Sequence, residues 1–237
     1  MEAISTKLVS FSGIDGSGKS TQIYALQRHL RTLGFQTVLR TFWDDVVAFA
    51  HIREFFTHRL FKGDKGVGSP EYPISRRDKN VMSWYATIAR LIFYFLDVLR
   101  LRLVLARAYR QQPEVIIFDR YIYDELANLP LDRWFVRLYV RTLARLSPRP
   151  DVAYLVDADP ETALVRKPEY PLEFLRQNRD AYMKLGSLVD GITVIGPLPI
   201  EETTQRIVGF YSTKCLQENA SPLVQCLASA SGKSHRN

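Results

Sequence analysis

Eight consecutive residues, Gly13-Ile14-Asp15-Gly16-Ser17-Gly18-Lys19-Ser20, match the spacing GxxxxGK[ST]. That pattern binds phosphate. Glycines let the backbone curl until several N–H groups point to one spot, and a helix starting there adds partial positive charge. Lys19 can then reach the β- and γ-phosphates of a triphosphate such as ATP, and the Ser20 hydroxyl can ligate Mg²⁺, with Thr21 opening the helix behind them. A glycine turn that happens to carry lysine would lack the flanking context seen here: a strand pattern over Lys7–Ser12 before the loop and a helical pattern over Thr21–Leu33 after it. The loop argues for nucleotide binding, and a reaction needs other groups.

A second candidate set follows the apolar run Val115–Phe118, which delivers Asp119-Arg120-Tyr121 to the end of a buried strand. Asp119 can hold Mg²⁺ directly or through water, and Arg120 can clamp an acceptor phosphate with two parallel hydrogen bonds. The alternative is an ion pair capping the strand. Between Val165 and Pro171, Arg166 and Lys167 either reach a transferring phosphate or decorate a solvated helix end. Arg90, Asp97, Arg100 and Arg107 share one arc of a long apolar helix, and that arc either lines an acceptor site or is a wet face; of the acceptor-side candidates Arg76, Arg77, Trp84, Tyr85, Arg90, Tyr94 and Arg100, Arg90 ranks first.

The elements that must position these groups alternate. Lys7–Ser12, Gln36–Phe42, Val115–Asp119, Asp151–Asp157 and Gly191–Ile195 read as buried strands separated by helical patterns. Such βαβ units imply an α/β parallel sheet covered on both faces, with ligands at the carboxyl ends of its strands. One domain over 1–211 is expected, with a flexible tail over 212–237; Lys62–Pro73 reads as an exposed lid or connector. The net charge of +7 suits an anionic small substrate, a membrane or nucleic acid alike. No nucleic-acid-binding signature accompanies it, and Ile88–Ala106 carries four charged residues, too many for a membrane span. His29, His51, His58 and His235 lack metal-ligand grouping, and Cys215 and Cys226 are too few for a disulfide framework. With no basic-then-apolar leader after Met1, a cytoplasmic protein is expected.

Several segments together resemble the thymidylate kinase family: GIDGSGKST at 13–21, the Asp119-Arg120-Tyr121 triplet, Arg149–Leu164, Glu173–Tyr182, and Ile192–Ile195 followed by Pro199–Glu202. The resemblance implies a P-loop NTPase fold of the nucleoside monophosphate kinase type, a three-layer sandwich around a five-stranded parallel sheet in the order 2-3-1-4-5. It implies ATP and Mg²⁺ as cofactors and dTMP as acceptor, with Arg120 and Tyr121 on the acceptor side and Asp15 near the acceptor sugar; from the residues alone, Asp15 equally suits an Asx turn. A homodimer through the apolar length of Val81–Leu105 is also implied. Three features depart from the family pattern. Gly16 and Ser17 stand where some members carry a loop arginine, the lid that the resemblance implies at 165–171 is short, and Tyr123-Asp124-Glu125 is unlike the usual continuation. A P-loop kinase for another acceptor, or a non-catalytic nucleotide-binding module, are the alternatives.

Overall fold

The computed structural model describes residues 6–47 and 84–216. The stretch 62–73, Arg76, Arg77, His51, His58, His235 and Cys226 lie outside them, as do the side chains of Trp84 and Tyr85.

Five strands form one all-parallel sheet: β1 (Lys7–Ser12), β2 (Thr37–Thr41), β3 (Val115–Asp119), β4 (Val152–Val156) and β5 (Ile192–Ile195), in the spatial order β2-β3-β1-β4-β5. This is the expected order 2-3-1-4-5. In register, Phe11 lies beside Asp119, Asp119 beside Thr41, Ser12 beside Leu155 and Val156 beside Ile195. The carboxyl ends of β1, β3 and β4 are therefore level, and every side chain that leaves them emerges at one edge.

Both faces of the sheet are apolar, because alternate residues of each strand point to opposite sides. Leu8, Ile116, Phe118, Ala153 and Leu155 pack with helices α2 (Trp84–Tyr109), α3 (Ile122–Leu126), α4 (Trp134–Leu146) and α6 (Leu172–Leu188). Val9, Phe11, Ile117, Tyr154 and Val156 pack on the other face with Ile23, Leu26 and Leu30 of α1 (Lys19–Thr32) and Ile207 and Tyr211 of α7 (Ile200–Tyr211). The Tyr154 hydroxyl donates to the Ile207 carbonyl at 2.8 Å, satisfying the one polar atom that this ring buries. The short helix α5 (Pro160–Arg166) starts where Asp159 accepts from the Thr162 N–H at 3.1 Å and Pro160 pre-sets the first turn.

Two expectations change here. The arc of Arg90, Asp97, Arg100 and Arg107 does not form one surface: Asp97 is 0% exposed while Arg100 and Arg107 are in solvent. Asp97 is buried toward α4, where burial and then the Asp97 charge push the Tyr139 phenol up to about 12. The segment from Ser212 opens as a further helical turn, Ser212–Leu216, that carries Cys215 into the core. No described helix is long and apolar enough to cross a membrane.

Candidate active site

The phosphate loop connects β1 to α1, and its glycines are there for space and for backbone conformation. Gly13 has φ 143°, and a Cβ on it would sit 2.4 Å from the Val156 carbonyl oxygen. Gly16 has φ 81°, and its Cβ would meet the Ala163 carbonyl oxygen of α5 at 2.4 Å. Gly18 has φ 87° with open space around it, so there the left-handed backbone alone requires glycine. Ile14 contributes main chain to the loop while its side chain joins the core. The Lys19 ammonium lies inside the loop, donating to the carbonyls of Gly13 at 2.9 Å and Ile14 at 2.7 Å, with Ser17 Oγ at 3.5 Å. Burial and then the nearby Arg120 charge lower its pKa from 10.5 to about 8. Ser20 and Thr21 stand exposed on the first turn of α1.

Arg120 enters this edge from β3 in a left-handed conformation, φ 64°, which is uncommon for any residue with a Cβ. Its N–H donates to the Phe11 carbonyl at 2.9 Å, extending the strand pairing past Asp119. The guanidinium is forked between two carboxylates: Nη2 pairs with Asp15 Oδ1 of the phosphate loop and Nη1 with Asp124 Oδ1 at 3.2 Å. Burial opposes its charge, but the carboxylates of Asp124, Asp15 and Asp119 more than offset that and hold the cation well protonated. Burial raises the Asp119 pKa, an effect that Lys19 and Arg120 counter. Lys167 Nζ lies 4.0 Å from Asp15 and 3.0 Å from Glu169. Arg120 and Lys167 therefore meet at Asp15, at the mouth of the loop.

A protein of Sulfolobus acidocaldarius described as a probable thymidylate kinase is 30% identical over 164 residues, 67% of this chain and 68% of that protein. The chain belongs to the thymidylate kinase family. A thymidylate kinase of Dinoroseobacter shibae is 31% identical over 172 residues, 68% of either chain. The crystal structure of the Ehrlichia chaffeensis thymidylate kinase superposes with a TM-score of 0.53 at 16% identity, covering 88% of this chain and 99% of that one, which supports the same fold. No protein-family model matches the sequence.

Within this thymidylate kinase family chain, the structure brings Asp15, Lys19, Asp119, Arg120 and Lys167 together. Arg166, one residue earlier at the end of α5, is exposed and makes no hydrogen bond or ion pair with another described residue. Tyr121 is a correction: its ring is 0% exposed, packed against Phe118 and Tyr123, and its hydroxyl donates to the Pro148 carbonyl. It serves the core and cannot offer its side chain to an acceptor. Arg90 is half-buried on α2, and no hydrogen bond or ion pair to another described residue draws it into the cluster. Gly16 gains a physical reason, since any side chain there, an arginine included, would strike the α5 backbone.

Three groups escaped the sequence reading. Asp124 accepts four hydrogen bonds beneath Arg120, Tyr182 of α6 supplies one of them, and Arg179 makes a two-pronged pair with Asp157 at 2.7 Å for each bond. Only the unusual acid after the Asp119-Arg120-Tyr121 triplet signalled the first. A divalent cation fits the remaining donors: the exposed Ser20 hydroxyl and the Asp119 carboxylate, electrostatically coupled to Lys19, are hard oxygen ligands of the kind Mg²⁺ takes alongside substrate phosphates. Among the described residues no group of three or more His, Cys, Asp or Glu forms a separate metal cluster.

Proposed function

We propose that this enzyme transfers the γ-phosphoryl group of ATP to the phosphate of dTMP, giving ADP and dTDP. The observation that carries the reading is the Arg120 guanidinium, fixed at the mouth of the phosphate loop where an acceptor phosphate must lie for in-line attack. Family membership supplies the acceptor class.

Lys19 and the N-terminus of α1 hold the β- and γ-phosphates, and Arg120 holds the acceptor phosphate. An acceptor oxygen forms the new bond to the γ-phosphorus as the bond to the β–γ bridging oxygen breaks and ADP takes the electron pair. A phosphate monoester is largely dianionic at neutral pH, so no general base is required. Mg²⁺ at Ser20 and Asp119 would neutralise charge on the β- and γ-oxygens. With no side chain possible at Gly16, Lys167 is the cation supplied from the lid side, and catalysis rests on positioning and charge.

The enzyme acts as a homodimer through α2, whose Ile88, Ile92, Phe95, Leu99 and Leu103 form an exposed apolar stripe at 3–4 residue spacing. A two-fold axis would set that stripe against its own copy. ATP and a nucleoside monophosphate are cytoplasmic metabolites, and that is the compartment we assign.

The test is ADP release with Mg-ATP and a panel of dTMP, other nucleoside monophosphates, thymidine and sugar phosphates, with Lys19→Ala as blank. Turnover is expected to be greatest with dTMP. Preference for another acceptor would reassign the substrate, and unchanged turnover in Lys19→Ala would sink the loop assignment.

A further inference from the structure

Arg120 needs something to hold it, because two features of it are unfavourable. Its left-handed backbone, φ 64°, is unfavourable for a residue with a Cβ, and its guanidinium is largely out of water.

A single carboxylate addresses both. The Asp124 side chain is 2% exposed and accepts four hydrogen bonds, two at each oxygen. Oδ2 takes the Ser12 hydroxyl at 2.6 Å and the Tyr121 N–H at 2.9 Å. Oδ1 takes the Tyr182 hydroxyl at 2.6 Å and Arg120 Nη1 at 3.2 Å. These fill the lone-pair positions of an ionised carboxylate. The Tyr121 N–H bond fixes the peptide that follows the left-handed residue, while the Nη1 bond fixes the guanidinium at the far end of the same side chain. Burial and then the Asp124 charge raise the Tyr182 pKa well above its ordinary value, which keeps that phenol a donor.

The four partners come from the end of β1, the β3–α3 connection and α6. Asp15, the other carboxylate on Arg120, belongs to the phosphate loop and is 15% exposed. The two acids differ in kind: Asp124 is a closed, saturated anchor, whereas Asp15 lies at the mouth where substrate binds.

We propose that Asp124 is a positioning residue that sets the aim of Arg120, and that Tyr182 ties this aim to α6, the helix that follows the lid. The inference rests on reading Arg120 as the acceptor-phosphate ligand. Without the Asp124 charge the guanidinium would pass wholly to Asp15, which would then compete with the acceptor phosphate. Asparagine cannot substitute, because its NH₂ would face a donor at whichever pair of partners it was turned toward.

The experiment compares binding of dTMP, thymidine and ATP to the full chain and to Asp124→Asn, alongside side-chain NMR of the Arg120 guanidinium. Asp124→Asn is expected to weaken dTMP by about 10-fold or more, the scale of a charge-assisted hydrogen bond. Thymidine, which has no phosphate, and ATP should stay within about two-fold. The Arg120 Nη signals, distinct in the parent chain, should merge as the group rotates. Tyr182→Phe keeps the charge and removes one donor, and serves if Asp124→Asn does not fold; it should shift the dTMP-to-thymidine affinity ratio the same way by a smaller factor. Equal weakening of dTMP and thymidine, or unchanged Nη signals with only a lower Tm, would overturn the proposal in favour of a purely structural acid. If the parent chain itself binds no dTMP, the substrate reading fails, and the Nη signals still decide the role of Asp124.

Discussion

Lys19 links pH to both binding and stability. Its pKa is lowered to about 8 in the folded chain, chiefly by burial, against 10.5 in the unfolded one. Between those values the unfolded state binds more protons, so this group's contribution to stability is poorest below pH 8 and improves as pH rises toward 10.5. Triphosphate binding runs the other way, since phosphates favour the ammonium. ATP affinity is expected to fall as pH rises through about 8, with proton uptake near pH 9 in calorimetry across buffers of different ionisation enthalpy; Lys19→Arg should abolish the uptake. A flat affinity from pH 7 to 9.5 would contradict the buried, depressed lysine. Gly16→Ala meets both a left-handed φ of 81° and the Ala163 carbonyl at 2.4 Å. It should cost about 1–2 kcal/mol from backbone conformation alone and more from the clash, seen as a lower Tm together with weaker ATP binding. The loop was legible in the sequence because its parts are contiguous and each has a local reason. The Asp124 anchor was not, because its partners stand at Ser12, Arg120, Tyr121 and Tyr182, and only the sheet register and the packing of α6 bring them together. Tyr121 misled for the opposite reason, since the family resemblance put it on the acceptor side with Arg120, whereas its hydroxyl is traced to Pro148.

Helices show what periodicity can and cannot say. All five strands were legible to within a residue or two at their ends, since short β-branched runs bounded by turns have few alternatives. The long α2 was legible as a helix, but it is apolar nearly all round, so its pattern could not separate the face formed by Tyr94, Val98, Leu101 and Leu105 from the exposed stripe of Ile88, Ile92, Phe95, Leu99 and Leu103. The same limit hid the burial of Asp97. At the end of α5, Lys167 has already left the helix, with φ −145°, and reaches Asp15, whereas the exposed Arg166 of the last turn pairs with no other described residue. For α2 the expected outcome is specific: Phe95→Glu, placing two charges across a two-fold stripe, should convert a dimer to a monomer in light scattering without lowering the Tm. Retention of the dimer would move the interface elsewhere, and a monomeric parent chain would remove it.

At the scale of the whole molecule, one sheet is shared by two cores that do not touch each other. Leu26 of α1 and Leu101 of α2 are both 0% exposed, on opposite faces of the same strands. Neither core can persist without the sheet, because each buries alternate residues of β1, β3 and β4 and loses its floor if those strands part. Unfolding of one face should therefore carry the other with it, and the active-site edge, held by β1, β3 and β4 together, should be lost in the same step. Leu26→Ala and Leu101→Ala are each expected to cost about 2–5 kcal/mol in urea denaturation, as buried leucine truncations do. Having no common partner, the two losses should sum in the double variant to within about 0.5 kcal/mol. Helical circular dichroism and tryptophan fluorescence should report one coincident midpoint in each case. Two separated midpoints, or a double variant much more stable than the sum allows, would mean that the faces melt independently and that the site can lose its α2 and α3 side while its phosphate loop stays folded.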